Sequence, residues 1–162
     1  MPQENLHPRI DYTRHSAAYQ AMFGLEKYAR DSSLEKPLLE LVRLRASLIN
    51  GCAYCIDMHT KDARAAGETE QRLYGLSAWR ETPFYTPRER AALEWTEAVT
   101  EIGTSHAPDE LFERVRAHFT EDEVVSLTMA IIAINGWNRL AIGFRSVPGT
   151  YQVKQSSKGT HS

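Results

Sequence analysis

Cysteine is nearly absent from this chain: its 162 residues hold two, at positions 52 and 55. So few cannot form the disulfide framework of a small secreted fold. A bridge between them would close a very short loop and constrain the unfolded chain little, so any role they have is chemical. A dominant charge is absent as well. Lys and Arg number 19 against 21 Asp and Glu, a net charge of −2, which gives no electrostatic case for nucleic acid or an anionic membrane surface. The longest purely apolar run, Met129 to Ile134, is too short to span a bilayer, so no membrane is expected. Met1-Pro2-Gln3-Glu4-Asn5 carries neither a basic nor an apolar signal region, which makes the cytoplasm the expected compartment. Hairpin turns, strand–helix–strand alternation and a glycine-rich nucleotide loop are all missing. An all-α fold needing no nucleotide, flavin or metal cofactor is therefore expected.

What is present reads as helix. Hydrophobic residues make up 42% and charged residues 25%, ordinary for one globular domain, expected over residues 1–153. A first helix is expected over 12–29, with Ala17, Met22, Leu25 and Tyr28 as core contacts. Pro37 opens a second that runs to Ile49 and stops at Asn50-Gly51. A third starts near Cys52 and ends at Gly67, followed by a short segment over 68–76. Thr86-Pro87-Arg88-Glu89 is a capping box opening a helix to about Ile102, and Pro108 opens another ending near Phe119. Thr120 and Glu123 form a second box leading a long helix toward Phe144. Its stretch 124–134 is apolar on almost every face and is expected to be wholly buried, in the domain centre or a subunit interface. The Ser-, Lys- and Gly-rich tail, 154–162, is expected to be disordered.

The chemistry concentrates between Glu40 and His59. On a helix, Cys52, Cys55 and His59 fall at i, i+3 and i+7 and share one face. Cys55 and His59 are an i, i+4 pair, so the imidazole is placed to take the thiol proton. The first helical turn also offers its positive dipole end and free N–H groups, which favour the reactive thiolate. By that argument Cys52, the more N-terminal sulfur, carries the charge; by the His59 spacing, Cys55 does. Glu40 sits among Leu38, Leu39, Leu41 and Val42, where desolvation is expected to raise its pKa toward the range useful for proton transfer. A plainer reading gives Glu40 an ion pair with Arg43 one turn on.

Other readings of the motif fit less well. Structural zinc sites want four ligands, and here the fourth would be Glu40 or a distant His. Haem attachment needs His directly after the second Cys, where Ile56 stands. A thioredoxin-like motif needs a preceding strand. Asp57 falls on the opposite helix face and is expected at the surface, as are His7, His15, His106, His118 and His161. Trp79, Trp95 and Trp137 read as packing anchors. The group Asn135, Trp137, Asn138 and Arg139 could line a pocket or terminate the buried stretch, and the second reading is the expectation.

Glu40, eleven residues, then Cys52-x-x-Cys55-x-x-x-His59 resembles the core motif of the AhpD-like alkylhydroperoxidase / carboxymuconolactone decarboxylase family. The flanks LVRLRAS (41–47), KDARAAG (61–67) and AINGWNRLA (133–141) resemble its single-core-domain members, and the likeness covers about residues 10–150. The resemblance implies a helical bundle that assembles as trimers or dimers of trimers. It also implies a thiol-dependent peroxidase reducing hydroperoxides, with Cys55 as peroxidatic nucleophile, Cys52 as resolving thiol, and His59 with Glu40 as proton relay. A dithiol donor, a dihydrolipoyl or thioredoxin-like protein, would restore the thiols. Tyr54 stands where the best-known members carry a second His, which implies a differently tuned relay. A thiol–disulfide oxidoreductase or redox sensor would use the same residues.

Overall fold

The computed structural model describes residues 7–154. Residues 1–6, and all but Lys154 of the tail expected to be disordered, lie outside the described residues. No strand occurs among the described residues. Eight α-helices occur there: α1 Ser16–Arg30, α2 Lys36–Asn50, α3 Ala53–Ala65, α4 Glu70–Tyr74, α5 Pro87–Thr100, α6 Ile102–Ser105, α7 Asp109–Arg116 and α8 Glu121–Phe144. The fold is all-α, as the sequence pattern predicts, and a helical bundle, as the family resemblance implies.

Local chemistry sets the helix ends. Thr86 and Glu89 form a reciprocal capping box at α5, and Thr120 and Glu123 do the same at α8. Pro37 occupies the first turn of α2, where its missing N–H costs nothing. Gly51 ends α2 with φ +68°, the left-handed region that a side chain disfavours. Two boundaries depart from expectation. The first helix breaks at His15, leaving a 3-10 turn Tyr12–Arg14 capped by Asp11. The fifth stops at Thr100 because Glu101 leaves helical geometry; Ser105 Oγ then hydrogen-bonds the Ala98 carbonyl and turns the chain back.

The central helix is α2. Its Leu38, Leu39 and Val42 pack on Ala91, Ala92 and Trp95 of α5 and on Leu127, Ala130 and Ile131 of α8. Leu41 and Leu44 enter a second cluster with Ala63, Leu76, Trp79 and Leu93. Ala46 joins a third, with Cys52, Cys55, Ile134 and Ala141. One helix thus touches every cluster, and burial of its leucines at about 25 cal/mol per Å² is a large share of the apolar driving force. On α1, Met22, Leu25 and Ala29 turn inward, whereas Ala17 and Tyr28 are exposed, contrary to expectation. The 3-10 break shifts the helical start to Ser16, and the inward stripe follows Tyr19, Met22, Glu26 and Ala29.

Nor is α8 buried all round. Val125, Ile132 and Ile142 stay 50%, 45% and 48% exposed on one stripe, because only the opposite sides meet α1, α2 and α5. By length and mean hydropathy (1.3 over its apolar window) α8 is also the one helix among the described residues able to cross a membrane; within the chain that composition serves packing.

Candidate active site: a buried dithiol beside a Glu–His pair

The left-handed Gly51 reverses the chain between α2 and α3. The Cys52 N–H returns to the Ser47 carbonyl at 3.0 Å, closing the end of α2, and Cys52 becomes the N-cap of α3. Its Sγ accepts the Cys55 N–H at 3.4 Å, so the sulfur takes the place that a Ser or Asp oxygen holds in an ordinary cap. The two sulfurs lie 2.6 Å apart, both as free thiols, at 1% and 3% exposure.

This arrangement separates the thiols electrostatically. The hydrogen bond with the Cys55 thiol draws the Cys52 pKa down to about 7 against a burial penalty, helped by the Cys55 N–H, the Asn138 amide and the Tyr54 N–H. Cys55 moves the opposite way. Its bond to Cys52, its burial and the neighbouring negative charge hold it well above the ordinary thiol range. The first proton leaves from Cys52, the sulfur at the positive end of the α3 dipole.

Across the same turn, Glu40 Oε2 and His59 Nδ1 are 2.9 Å apart, and Glu40 Oε1 accepts from Arg43 at 2.6 Å. The ion pair with Arg43 and the histidine contact are both present. Arg43, itself buried, also grips Glu26 of α1. The apolar sequence neighbours of Glu40 predict a raised pKa. Burial does push it up, but the His59 hydrogen bond and charge and the Arg43 guanidinium outweigh it, and the carboxyl lies below its usual range. Glu40 is therefore an anionic acceptor for the ring's Nδ1–H, which leaves Nε2 as the basic nitrogen.

One turn beyond His59, Asp62 brings a carboxylate oxygen within 4.8 Å of the Glu40 and His59 donor atoms. That group contains neither cysteine, and no Cys–Cys–His ligand set is assembled among the described residues. Tyr151 Oη donates to Asp62 at 2.7 Å, and burial together with that bond keeps it a neutral phenol. Lys61 donates to both Asp57 and the Tyr151 carbonyl, and the Gly149 N–H donates to Asp57. Asp57, expected at the surface, is instead partly covered, because residues 149–151 are strapped over α3.

The four residues singled out from the motif thus stand on one helical hairpin as two pairs, Cys52 with Cys55 and Glu40 with His59. No hydrogen bond among the described residues joins His59 to a sulfur. Sequence reasoning missed Asn138. It is fully buried, it accepts from Asn50 at 2.9 Å and donates to Ser47 at 3.1 Å, and its amide lowers the pKa of both thiols. The available signal was an amide side chain on the apolar helix, since a buried amide requires partners. Trp137 and Tyr54 pack on the cysteine cluster, with Tyr19 and Phe23 edge-on to Trp137 at 5.7 and 5.6 Å. Trp79 and Trp95 are buried anchors.

Fold and site together define an all-helical protein with a buried CxxC dithiol at a helix N-terminus. The chain belongs to the carboxymuconolactone decarboxylase family, whose model matches residues 16–98. It is 52% identical over 121 residues to the uncharacterized protein YdfG of Bacillus subtilis, covering 75% of this chain and 82% of that one. Among solved structures it is similar to a protein of unknown function from Agrobacterium tumefaciens that is linked by name to the antioxidant defence protein AhpD. There the TM-score is 0.85 at 49% identity, over 90% of this chain and 100% of that one. The alkylhydroperoxidase AhpD core of a peroxidase-related protein from Ralstonia eutropha JMP134 matches with TM-score 0.75 at 22% identity, over 86% and 74%. The debrominase Bmp8 matches with TM-score 0.72 at 18% identity, over 85% and 74%. These last two show the fold alone.

Proposed function

We propose that this protein is a thiol peroxidase that reduces small hydroperoxides through a Cys52/Cys55 dithiol–disulfide cycle. The observation that carries the reading is the dithiol itself: one sulfur caps a helix and ionises near neutrality, while its partner stays protonated within bonding reach. The Cys52 thiolate attacks the terminal peroxide oxygen and the O–O bond breaks; the alkoxide takes back, from His59, the proton that Cys52 gave up and leaves as alcohol, producing a Cys52 sulfenic acid. His59 Nε2, with Glu40 holding Nδ1, takes the Cys55 proton through a water or the substrate oxygen. Cys55 then attacks the Cys52 sulfur and releases water. In sum, dithiol and hydroperoxide become disulfide, alcohol and water.

This order reverses the roles that the family resemblance implies for the two sulfurs; the helix cap and the protonated state of Cys55 are the grounds. Burial of both thiols favours a small peroxide over a protein disulfide as oxidant. It also favours a donor on a slender arm, such as a dihydrolipoyl group, over the broad face of a thioredoxin-like protein. The reducing cytoplasm suits such a cycle, and the exposed α8 stripe suits a homo-oligomer.

The test is a single turnover of the reduced protein with cumene hydroperoxide, counting thiols and trapping sulfenic acid in wild type, Cys55→Ser and Cys52→Ser. Loss of both thiols in wild type, with a sulfenic acid trapped at Cys52 in Cys55→Ser, is expected. A sulfenic acid at Cys55 in Cys52→Ser alone returns the attacking role to Cys55. Thiols that survive hydroperoxide but yield to a disulfide overturn the peroxidase reading in favour of an oxidoreductase.

A further inference from the structure

Asn138 is a fully buried amide on α8 beside the cysteine cluster. It lies one turn from Ile134 on one side and Ala141 on the other, and both of those pack against the cysteines. An amide can help or hinder a thiolate depending on which end faces it, and the surrounding bonds decide the end. The Ile131 carbonyl can only accept, so the Asn135 Nδ2 that meets it at 2.9 Å is a donor, and Asn135 Oδ1 faces the other way. That oxygen accepts from Arg139 at 3.0 Å, a group that can only donate, and from Asn50 Nδ2 at 2.9 Å. Asn50 Nδ2 also donates to Asn138 Oδ1 at 2.9 Å. With its oxygen committed to Asn50, Asn138 turns Nδ2 toward Ser47 and the thiols. Ser47 Oγ gives its own proton to the Arg43 carbonyl at 2.8 Å and so accepts one Nδ2 hydrogen. The second hydrogen remains for sulfur.

We infer that Asn138 is a catalytic residue of this site, its amide N–H donating to the Cys52 thiolate, and that Asn50, Asn135 and Ser47 are positioning residues that prevent the amide from flipping. The inference deepens the proposed cycle and rests on it for the claim that the Cys52 thiolate attacks. A donor held in a water-poor site stabilises sulfur charge more than one in solvent does, and reorganises nothing when the charge forms. The same N–H would follow the oxygen of a Cys52 sulfenate, which is the better acceptor.

The test reads thiol ionisation rather than turnover. In the reduced full-length protein, the pH dependence of iodoacetamide alkylation and of thiolate ultraviolet absorbance is compared between wild type, Asn138→Leu and Asn138→Asp. Loss of the donor is expected to slow alkylation at neutral pH roughly tenfold, about the effect of moving a thiol pKa by one. Asn138→Asp, which faces the sulfur with an acceptor, is expected to slow it further. Since either variant can unfold, wild-type protein labelled with 15N-asparagine supplies a second reading. One side-chain amide signal, absent in an Asn138 variant or assigned directly, should move in step with the first thiol titration and lose that step in Cys52→Ser. Unchanged alkylation in a folded Asn138→Leu, or an Asn138 signal indifferent to the thiol titration, overturns the assignment. If the titration follows Asn138 while hydroperoxide leaves the thiols intact, the donor role stands and the peroxidase reading falls.

Discussion

Glu40 and His59, 19 positions apart, meet at 2.9 Å because Gly51 folds α2 back along α3. The carboxylate is held anionic by His59 and Arg43 despite its burial, and it fixes which imidazole nitrogen is basic. Replacing Glu40 by Gln removes the charge but keeps the shape. Formation of the Cys52–Cys55 disulfide after peroxide addition is expected to slow by roughly tenfold to a hundredfold, within the range of general-base effects. Trapped sulfenic acid should rise correspondingly. Stopped-flow thiol loss with a sulfenic trap separates the two steps, and an unchanged second step would remove Glu40 from the relay.

The same carboxylate makes a stability prediction with a definite sign. Its folded pKa lies below the ordinary 4.5, so its ionised contacts stabilise the fold fully above that value and lose their contribution as pH falls through the folded pKa. Urea midpoints of wild type and Glu40→Gln should differ most near neutral pH and converge below pH 4.5. A constant gap across that range would indicate lost packing instead of lost charge.

Gly51 carries the turn that brings both pairs together. A Cβ there meets no atom within 4 Å, so Gly51→Ala is opposed only by its φ of +68°. The expected loss is about 1–2 kcal/mol, measurable in urea denaturation. Asn, which tolerates the left-handed region better, should recover part of it. If Ala costs nothing, the turn has moved, and the Glu40–His59 contact should then be lost as well.

Much of this is legible in the sequence. Capping residues mark their own helix ends, which is why Thr86 with Glu89, Thr120 with Glu123, and Pro37 with Gly51 delimit α2, α5 and α8 where expected. The break at His15 has no glycine or proline to announce it, so the inward face of α1 was misjudged at Ala17 and Tyr28. Within the site, Cys52 and Cys55 were legible because local spacing puts them on one helical turn. Glu40 was legible only as a candidate, since its reach depends on the angle between two helices. Asn138 comes from a helix 83 or more positions away, and no local pattern signals its meeting with Ser47 and the thiols. The depressed Glu40 pKa was illegible for a similar reason: Leu neighbours in sequence suggest desolvation, while His59 and the Glu26-bound Arg43 arrive through the fold.

The exposed stripe Val125, Ile132 and Ile142 runs along one side of α8. If it is covered by further copies of the chain, Ile132→Lys should lower the mass measured by sedimentation or light scattering toward that of a monomer, with little change in helix content. A wild-type monomer, or an assembly indifferent to Ile132→Lys, assigns oligomerisation elsewhere or removes it.

The two thiols make opposite contributions to stability, and their sum has a shape. Cys52 titrates near 7 in the fold against 9.0 ordinarily, so its charge stabilises the native state fully above 9.0 and that contribution is lost as pH falls toward 7. Cys55 is raised, so its neutral form contributes fully below 9.0 and is lost as pH rises beyond it. Between 7 and 9.0 the unfolded chain binds one more thiol proton than the folded one; above 9.0 it binds one fewer. Stability of the reduced protein, taken relative to a Cys52→Ala, Cys55→Ala double variant to cancel other groups, should therefore climb from pH 7, crest near 9.0 and decline. Peroxide reactivity should follow Cys52 alone, rising about tenfold per pH unit below 7 and levelling above it. Cys55→Ala, which removes the largest cause of the Cys52 depression, should push that plateau to higher pH. A rate still rising steeply between pH 8 and 9 in wild type would mean that the reacting sulfur is an ordinary thiol, and neither the helix cap nor Asn138 would then have tuned it.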